Sequence, residues 1–218
     1  MKKMIDLKLK EKTFAKSSIS ILNDFTLTIT SGEKIAIVGE SGAGKSSLLN
    51  IIGLVDRHYS GQYRLFGMDA AKLNDDQRAK WRNERIGFIL QNQALLNSFS
   101  LEDNIKLPLL YVSKETKKAK EVWFRQLVET LGIESLLKKK PFKCSGGERA
   151  RAALARGLIM QPQLVLADEP TASLDDKNKD IMMELLFKLN QINNMTLITV
   201  THDLAIAQRH DCVITIER

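Results

Sequence analysis

Lys45 and Ser46 close a run of small residues that begins at Gly39: Gly39-Glu40-Ser41-Gly42-Ala43-Gly44-Lys45-Ser46. The spacing G-x-x-x-x-G-K-[ST] suits phosphate chemistry. Its three glycines let the backbone curl until several N–H groups point at one centre, and a helix start just beyond adds partial positive charge. The ammonium of Lys45 can reach the β- and γ-phosphates of a nucleotide, and the Ser46 hydroxyl is a ligand for magnesium. A plain glycine-rich turn would not need these flanks. Ile35-Ala36-Ile37-Val38 reads as a buried strand leading in, and Ser46, Ser47 and onward to Ile52 read as a helix leading out.

A second group of residues points to hydrolysis. Leu164-Val165-Leu166-Ala167 reads as an apolar strand, and it ends in two carboxylates, Asp168 and Glu169. At the carboxyl edge of a parallel sheet, Asp168 would hold magnesium through its water shell and Glu169 would polarise a water aimed at the γ-phosphate. An Asp-Glu pair that merely caps the strand end is the alternative, and the upstream glycine loop argues against it. The third group is Cys144-Ser145-Gly146-Gly147-Glu148, ahead of the helix former Arg149 to Arg156. Small residues at a helix start leave N–H groups unobstructed for an anion, although an ordinary cap would use Ser-Gly-Gly as well.

These groups need a frame. Met4 to Leu9 and Ile19 to Ile29 alternate like strands, broken by a polar stretch around Lys16-Ser17-Ser18. Gln62 to Phe66 alternates likewise, and Asn74 to Glu84 reads as a short capped helix before a buried strand at Ile86 to Leu90. From about Leu101 to Leu137 the pattern turns helical, with Val122, Leu127, Val128 and Leu131 expected on one face that Gly132 can end. A helix at about 147–159 precedes the Leu164 strand. A helix at about 177–190, a strand at Thr196 to Val200, a short helix near Leu204 and a strand at Val213 to Ile216 complete the chain. Strands that are apolar throughout and alternate with helices predict a parallel sheet covered on both faces. The expected fold is α/β: a nucleotide-binding core, an N-terminal antiparallel β flap and an inserted helical subdomain. One domain spans 1–218, with the core at about 1–91 and 160–218 and the helical part at about 92–159.

Bulk properties narrow the setting. A chain of 218 residues, 44% hydrophobic and 27% charged, is ordinary for a globular domain with an ample core. Nothing approaches the ~18 consecutive apolar residues of a membrane span. The charged N-terminus lacks the apolar region of a secretory signal, and two distant cysteines make no disulfide framework, so a cytoplasmic setting is expected. The net charge of +7 comes from scattered small clusters without interleaved aromatics. That reads as a solvated basic face, beside anionic lipid and not nucleic acid.

With these residues assembled, the chain from Met4 to Glu217 resembles the ATP-binding subunits of ABC transporters. Gly39 to Ser46 look like the Walker A motif, Gln91 like the Q-loop glutamine, and Ser145-Gly146-Gly147-Glu148 like the signature. Leu164 to Asp168 look like Walker B, followed by Glu169 as the catalytic glutamate. Ala172-Ser173-Leu174-Asp175 resembles the D-loop and His202 the switch histidine. Phe14 stands where the adenine-stacking aromatic stands, and it reads equally as an edge-strand core residue. The resemblance implies ATP and Mg2+, with Ser46, Gln91 and Asp168 organising the metal. It implies a head-to-tail dimer in which the signature of one copy closes on the nucleotide held by the other. It also implies an integral membrane permease as partner and a place on the inner face of the membrane. Asn97 to Tyr111 would form much of the groove for that permease, although Leu107 to Tyr111 could equally be internal core.

Two departures from the family carry expectations. Cys144 replaces the usual Leu and Glu148 the usual Gln; a thiol beside a helix N-terminus should be acidified and reactive, so that alkylation slows turnover. The chain also ends after its last strand, which implies no accessory regulatory domain. Within the family, Asn50 to Arg57, Arg85 to Phe88 and Ala167 to Thr171 resemble the ATPases of lipoprotein-releasing and macrolide-exporter systems, with related antimicrobial-peptide and bacteriocin exporters. Export or extraction of a peptide, lipoprotein or drug-like substrate follows. A non-transporting cell-envelope regulator is the alternative. Chromosome-type relatives insert a long coiled coil where only roughly 100 residues separate the two glycine motifs here, and no heptads run through them.

Overall fold

In the computed structural model, which describes residues 3–13 and 20–216, strands β1 (Lys3–Thr13) and β2 (Ser20–Thr30) precede β3 (Lys34–Gly39) and helix α1 (Lys45–Ile52). A short hairpin, β4 (Ser60–Leu65) and β5 (Met68–Asp69), leads to α2 (Asp75–Glu84) and β6 (Ile86–Ile89). Then come α3 (Leu101–Lys106), α4 (Lys114–Thr130), α5 (Gly146–Leu158), β7 (Leu164–Asp168) and α6 (Asp176–Asn193), followed by β8 (Thr196–Val200), α7 (Leu204–Ala207) and β9 (Cys212–Ile216).

The strands form two sheets. One is antiparallel in the order β2-β1-β4-β5; the other runs β6-β7-β8-β3-β9 with every pairing parallel. The fold is thus α/β with an antiparallel sheet built from the N-terminal strands. Strand β7 shows why its sequence is apolar at every position. Leu164 and Leu166 join Ile35, Ile37, Ile198 and Val200 in a core closed by α1 and the antiparallel sheet. Val165 and Ala167 point the other way, into a core shared with α5 and α6. Each large side chain sealed in this way contributes ~1.5–3 kcal/mol of burial.

The second core also holds the middle helices together. On α4 the buried stripe is Phe124, Leu127 and Val128, continued by Leu131. Val122, expected on that stripe, is 66% exposed. It stands about 200° around the helix from Phe124, on the solvent side. Gly132 takes the left-handed conformation (φ 61°) that ends this helix. The segment Leu107–Tyr111 is a 3-10 turn that divides its apolar residues: Leu109 is buried, whereas Leu110 and Tyr111 face solvent.

Candidate active site

Strand β3 lies between β8 and β9, and the chain leaves its carboxyl end as a tight loop into α1. Two glycines there are obligatory. At Gly39 a side chain would meet the carbonyl oxygen of Ile216 at 2.4 Å, and Gly44 takes a left-handed φ of 94° as the first cap of α1. No side chain caps α1, and no acidic residue sits in its first turn. Its N–H groups and dipole therefore face the loop's concavity, which fits an incoming phosphate. Lys45 arches over the loop, its Nζ donating to the carbonyls of Gly39 (2.8 Å) and Glu40 (2.7 Å).

A cavity of about 460 Å³ opens above this loop. Its lining comprises Gly39, Ser41, Gly42, Gly44, Lys45, Ser46 and Ser47, with Gln91, Asp168, Glu169, Val200 and His202. Residues from four strand ends meet here, as expected at the carboxyl edge of a parallel sheet. Ala43 differs from its neighbours: its methyl is buried in the core beneath the loop and not in the lining. Val200, the last residue of β8, enters the lining unforeseen, because a strand valine gives no chemical signal in the sequence.

Ser46 Oγ donates to Asp168 Oδ2 at 3.0 Å, joining the glycine loop to the end of β7. A hydroxyl beside a carboxylate is a hard-oxygen pair of the kind magnesium uses, and Gln91 lines the same cavity. Next in the chain, Glu169 sits in a left-handed backbone (φ 47°), its N–H held by the Val200 carbonyl at 2.9 Å. A non-glycine residue is strained there, and the strain aims its carboxylate at the cavity. Its Oε1 accepts from Nδ1 of His202 at 2.9 Å. Its other oxygen, Oε2, is buried without a partner among the described residues. Such an atom has unused capacity to bind a water and take its proton.

Ser145, Gly146, Gly147, Glu148 and Asp175 do not line this cavity. They form another feature of the same chain. Ser145 caps α5 by accepting from the Glu148 N–H (3.2 Å), and Glu148 reciprocates by accepting from the Ser145 N–H (2.6 Å). The Ser145 N–H holds the Glu148 carboxyl below its usual range. The cap uses neither the Gly146 nor the Gly147 N–H. Asp175 caps α6 through the Asn178 N–H, which lowers its own pKa, and Asn178 fills the space beside Gly147.

Cys144 corrects an expectation. Its side chain is buried, and burial, reinforced by the Glu148 charge, raises the thiol pKa above its ordinary value. The helix start does not acidify it, because Sγ turns inward and donates to the Lys140 carbonyl (3.5 Å). Phe14 lies outside the described residues.

A family model described as ABC transporter matches residues 22–172. The lipoprotein-releasing system ATP-binding protein LolD of Legionella pneumophila (strain Paris) is 42% identical over 92% of this chain and 88% of its own length. The macrolide export ATP-binding/permease protein MacB of Campylobacter jejuni is 41% identical over 91% of this chain, which spans 31% of that longer protein. Among solved structures, the dimeric post-hydrolysis state of the ATP-binding cassette MJ0796 bound to ADP and Pi superposes with a TM-score of 0.85 at 33% identity, covering 98% of this chain and 94% of that one.

Proposed function

Because the chain belongs to the ABC transporter family, we propose that it is the ATP-hydrolysing subunit of an export or extraction system, working as a pair of copies on a membrane permease. The observation that carries this reading is the pairing at the end of β7. Glu169 holds a buried, unpartnered Oε2 beside His202, in the cavity where Ser46 meets Asp168.

Lys45 and the loop amides bind the triphosphate, and Lys45 exchanges its two carbonyl partners for phosphate oxygens. Ser46 and Asp168, with Gln91 in the same lining, would hold magnesium, which would supply positive charge to offset that of the phosphates. Glu169 orients a water through Oε2 and takes its proton. His202 keeps the other carboxylate oxygen occupied and meets the γ-phosphate from the far side of the cavity. Ser145, Gly146 and Gly147 lie outside this lining, so their open helix start serves the nucleotide of a second copy. The cassette is read as a core at about 1–91 and 160–218 and a helical part at about 92–159, and one hydrophobic core joins the two, with Leu127 and Leu154 packed in the same cluster as Val165 and Met183.

The permease is received by a second cavity, about 1090 Å³, whose lining includes Val55, Phe88, Leu90, Tyr111 and Val112. Val55, Leu90 and Tyr111 are exposed apolar residues clustered in one groove, the right shape and chemistry for a short helix from a membrane partner. No described helix is long and apolar enough to cross a membrane, so the path for substrate comes from that partner. A lipoprotein, peptide or drug-like substrate is the expected cargo, by likeness to the lipoprotein-releasing and macrolide-export relatives.

The decisive variant is Glu169→Gln, which keeps the shape and removes the base. Hydrolysis should drop by at least about 100-fold, the usual contribution of a general base, while ATP affinity holds. With MgATP the variant should migrate as a dimer in size-exclusion chromatography with light scattering, and as a monomer with ADP. A monomer that turns over ATP normally would contradict the proposal.

A further inference from the structure

Two residues beyond Gln91, the backbone of Gln93 and Ala94 adopts left-handed φ values of 58° and 44°. Residues with side chains seldom take such values unless neighbours impose them. Arg156 of α5 does so. Its guanidinium donates to the Gln93 carbonyl (2.7 Å) and the Ala94 carbonyl (2.6 Å), pinning the loop to the helix. Those bonds use only main-chain atoms, which any residue at 93 would supply.

The Gln93 side chain adds something that most residues could not. Its Oε1 accepts from Arg149 Nε at 3.3 Å, and Arg149 in turn donates to the Cys144 carbonyl at 2.6 Å. Its Nε2 donates to Ser173 Oγ at 3.2 Å and leans on the Gly146 carbonyl at 3.5 Å. One amide thereby ties together three segments: the loop after Gln91, the start of α5 at Ser145–Gly147, and the loop between Glu169 and Asp175. One planar amide supplies an acceptor for the arginine and a donor for the Gly146 carbonyl, while the Ser173 hydroxyl can meet either of its ends.

We propose that Gln93 is a positioning residue that makes these three segments move as one body. Engagement of Gln91 beside the nucleotide's metal in one site then sets the Ser145 helix start that serves the partner's site, so the two hydrolysis events are coupled through this side chain. The inference rests on the two-copy reading above. Arg156 keeps the loop on the body of α5 in either case, so loss of the amide frees the Ser173 loop and the first turn of α5 from it without unfolding them.

The test is Gln93→Leu, similar in volume but without polar atoms, compared with the unsubstituted chain. We expect kcat to fall about tenfold, the scale of losing one hydrogen bond to a charged group. The Hill coefficient for ATP should fall toward one, nucleotide affinity should stay within about twofold, and the thermal midpoint within about 2 °C. Gln93→Glu keeps an acceptor for both Arg149 and the Ser173 hydroxyl, and should recover at least about half of the lost coupling. Unchanged kcat and cooperativity in Gln93→Leu would overturn the inference. So would a fall in affinity and thermal midpoint parallel to the fall in kcat, which marks a purely structural role. If the unsubstituted chain neither hydrolyses ATP nor pairs, the underlying two-copy reading fails first, and that outcome is read without any variant.

Discussion

A thiol at the start of a helix feels two opposing influences, and Cys144 shows which wins when the side chain points inward. The dipole of α5 favours thiolate, but the effect requires the sulfur to lie on the axis near open N–H groups. Here Sγ is buried against the Lys140 carbonyl with the Glu148 carboxylate close by, and both the burial and that charge favour the neutral thiol. Cys212, the other cysteine, is exposed at the start of β9. Iodoacetamide at neutral pH should therefore label Cys212 at least about ten times faster than Cys144, since reactivity follows thiolate content and access. Peptide mass spectrometry over a time course reads the ratio; faster labelling at Cys144 would mean that the helix start does activate it. The sequence singles out Lys45, Ser46, Asp168, Glu169 and His202, each a reactive type within a spaced motif, and the structure brings all five to one cavity. The sequence could not give the direction in which a side chain leaves a cap, which is why Cys144 departs from its expectation, whereas Val122 falls off the buried stripe by helical spacing alone. The strained φ of Glu169 was equally hidden, since no local composition encodes it.

Among the elements, β1 is held to the chain segment after α1 by a charge pair that no hydropathy pattern announces. Lys12 is buried, with Nζ donating to the His58 carbonyl at 2.7 Å and to the Asp56 carboxylate. Burial pushes the Asp56 carboxyl upward, but Lys12 and the His58 N–H outweigh it and leave the pKa below the usual value. Asp56 thus releases its proton more readily folded than unfolded. Its contribution is complete above the ordinary carboxylate range and is lost as pH falls through the lower, folded value. Replacing Asp56 by Asn leaves the Lys12 ammonium in a dry site with one acceptor. We expect this to cost about 2 kcal/mol, less than a fully buried pair because Asp56 keeps some solvent contact. Lys12→Met should cost less, since the carboxylate left behind can reach water. Urea unfolding at pH 7 and at about pH 2.5, below the ordinary carboxylate range, measures both effects, and the loss of stability toward acid should be shallower in Asp56→Asn than in the parent. An identical acid slope would remove Asp56 from the account. The strands and helices themselves were legible because both faces of the parallel sheet are sealed, which forces unbroken apolar runs with capped helices between them. Asn74 with Gln77 and Ser145 with Glu148 are such caps, written in the sequence three residues apart.

Across the whole molecule, the nucleotide cavity and the apolar groove share a wall. Leu90 lines the groove and the next residue, Gln91, lines the nucleotide cavity. Asn50 and Val55, at the far end of α1 and just past it, also line the groove, while Lys45 and Ser46 at its start belong to the glycine loop. The contact behind α1 is tight: a side chain on Gly53 would collide with the Phe88 ring at 2.4 Å, so α1 and β6 shift together or not at all. Under the proposed function, a partner seated in the groove would press on the elements that line the nucleotide cavity. Asn97 to Tyr111 is the stretch the sequence offers for docking, and of it only Tyr111 lines the proposed groove. Leu109 turns into the core, and the groove is completed by Val55, Phe88 and Leu90 from segments distant in sequence, a convergence that spacing cannot express. Val55→Asp places a charge at a position 58% exposed, which the fold tolerates but an apolar docking helix does not. ATP hydrolysis by the isolated variant should stay within about twofold of the parent, because surface changes of this kind seldom disturb a distant site. Its retention on membranes that carry the co-expressed permease should fall at least about tenfold, the result of burying one unpaired charge at an interface. Sedimentation of membranes followed by quantitative blotting reads that fraction. Retention equal to the parent would show that the permease docks elsewhere, and the shared wall would then transmit nothing between partner and nucleotide.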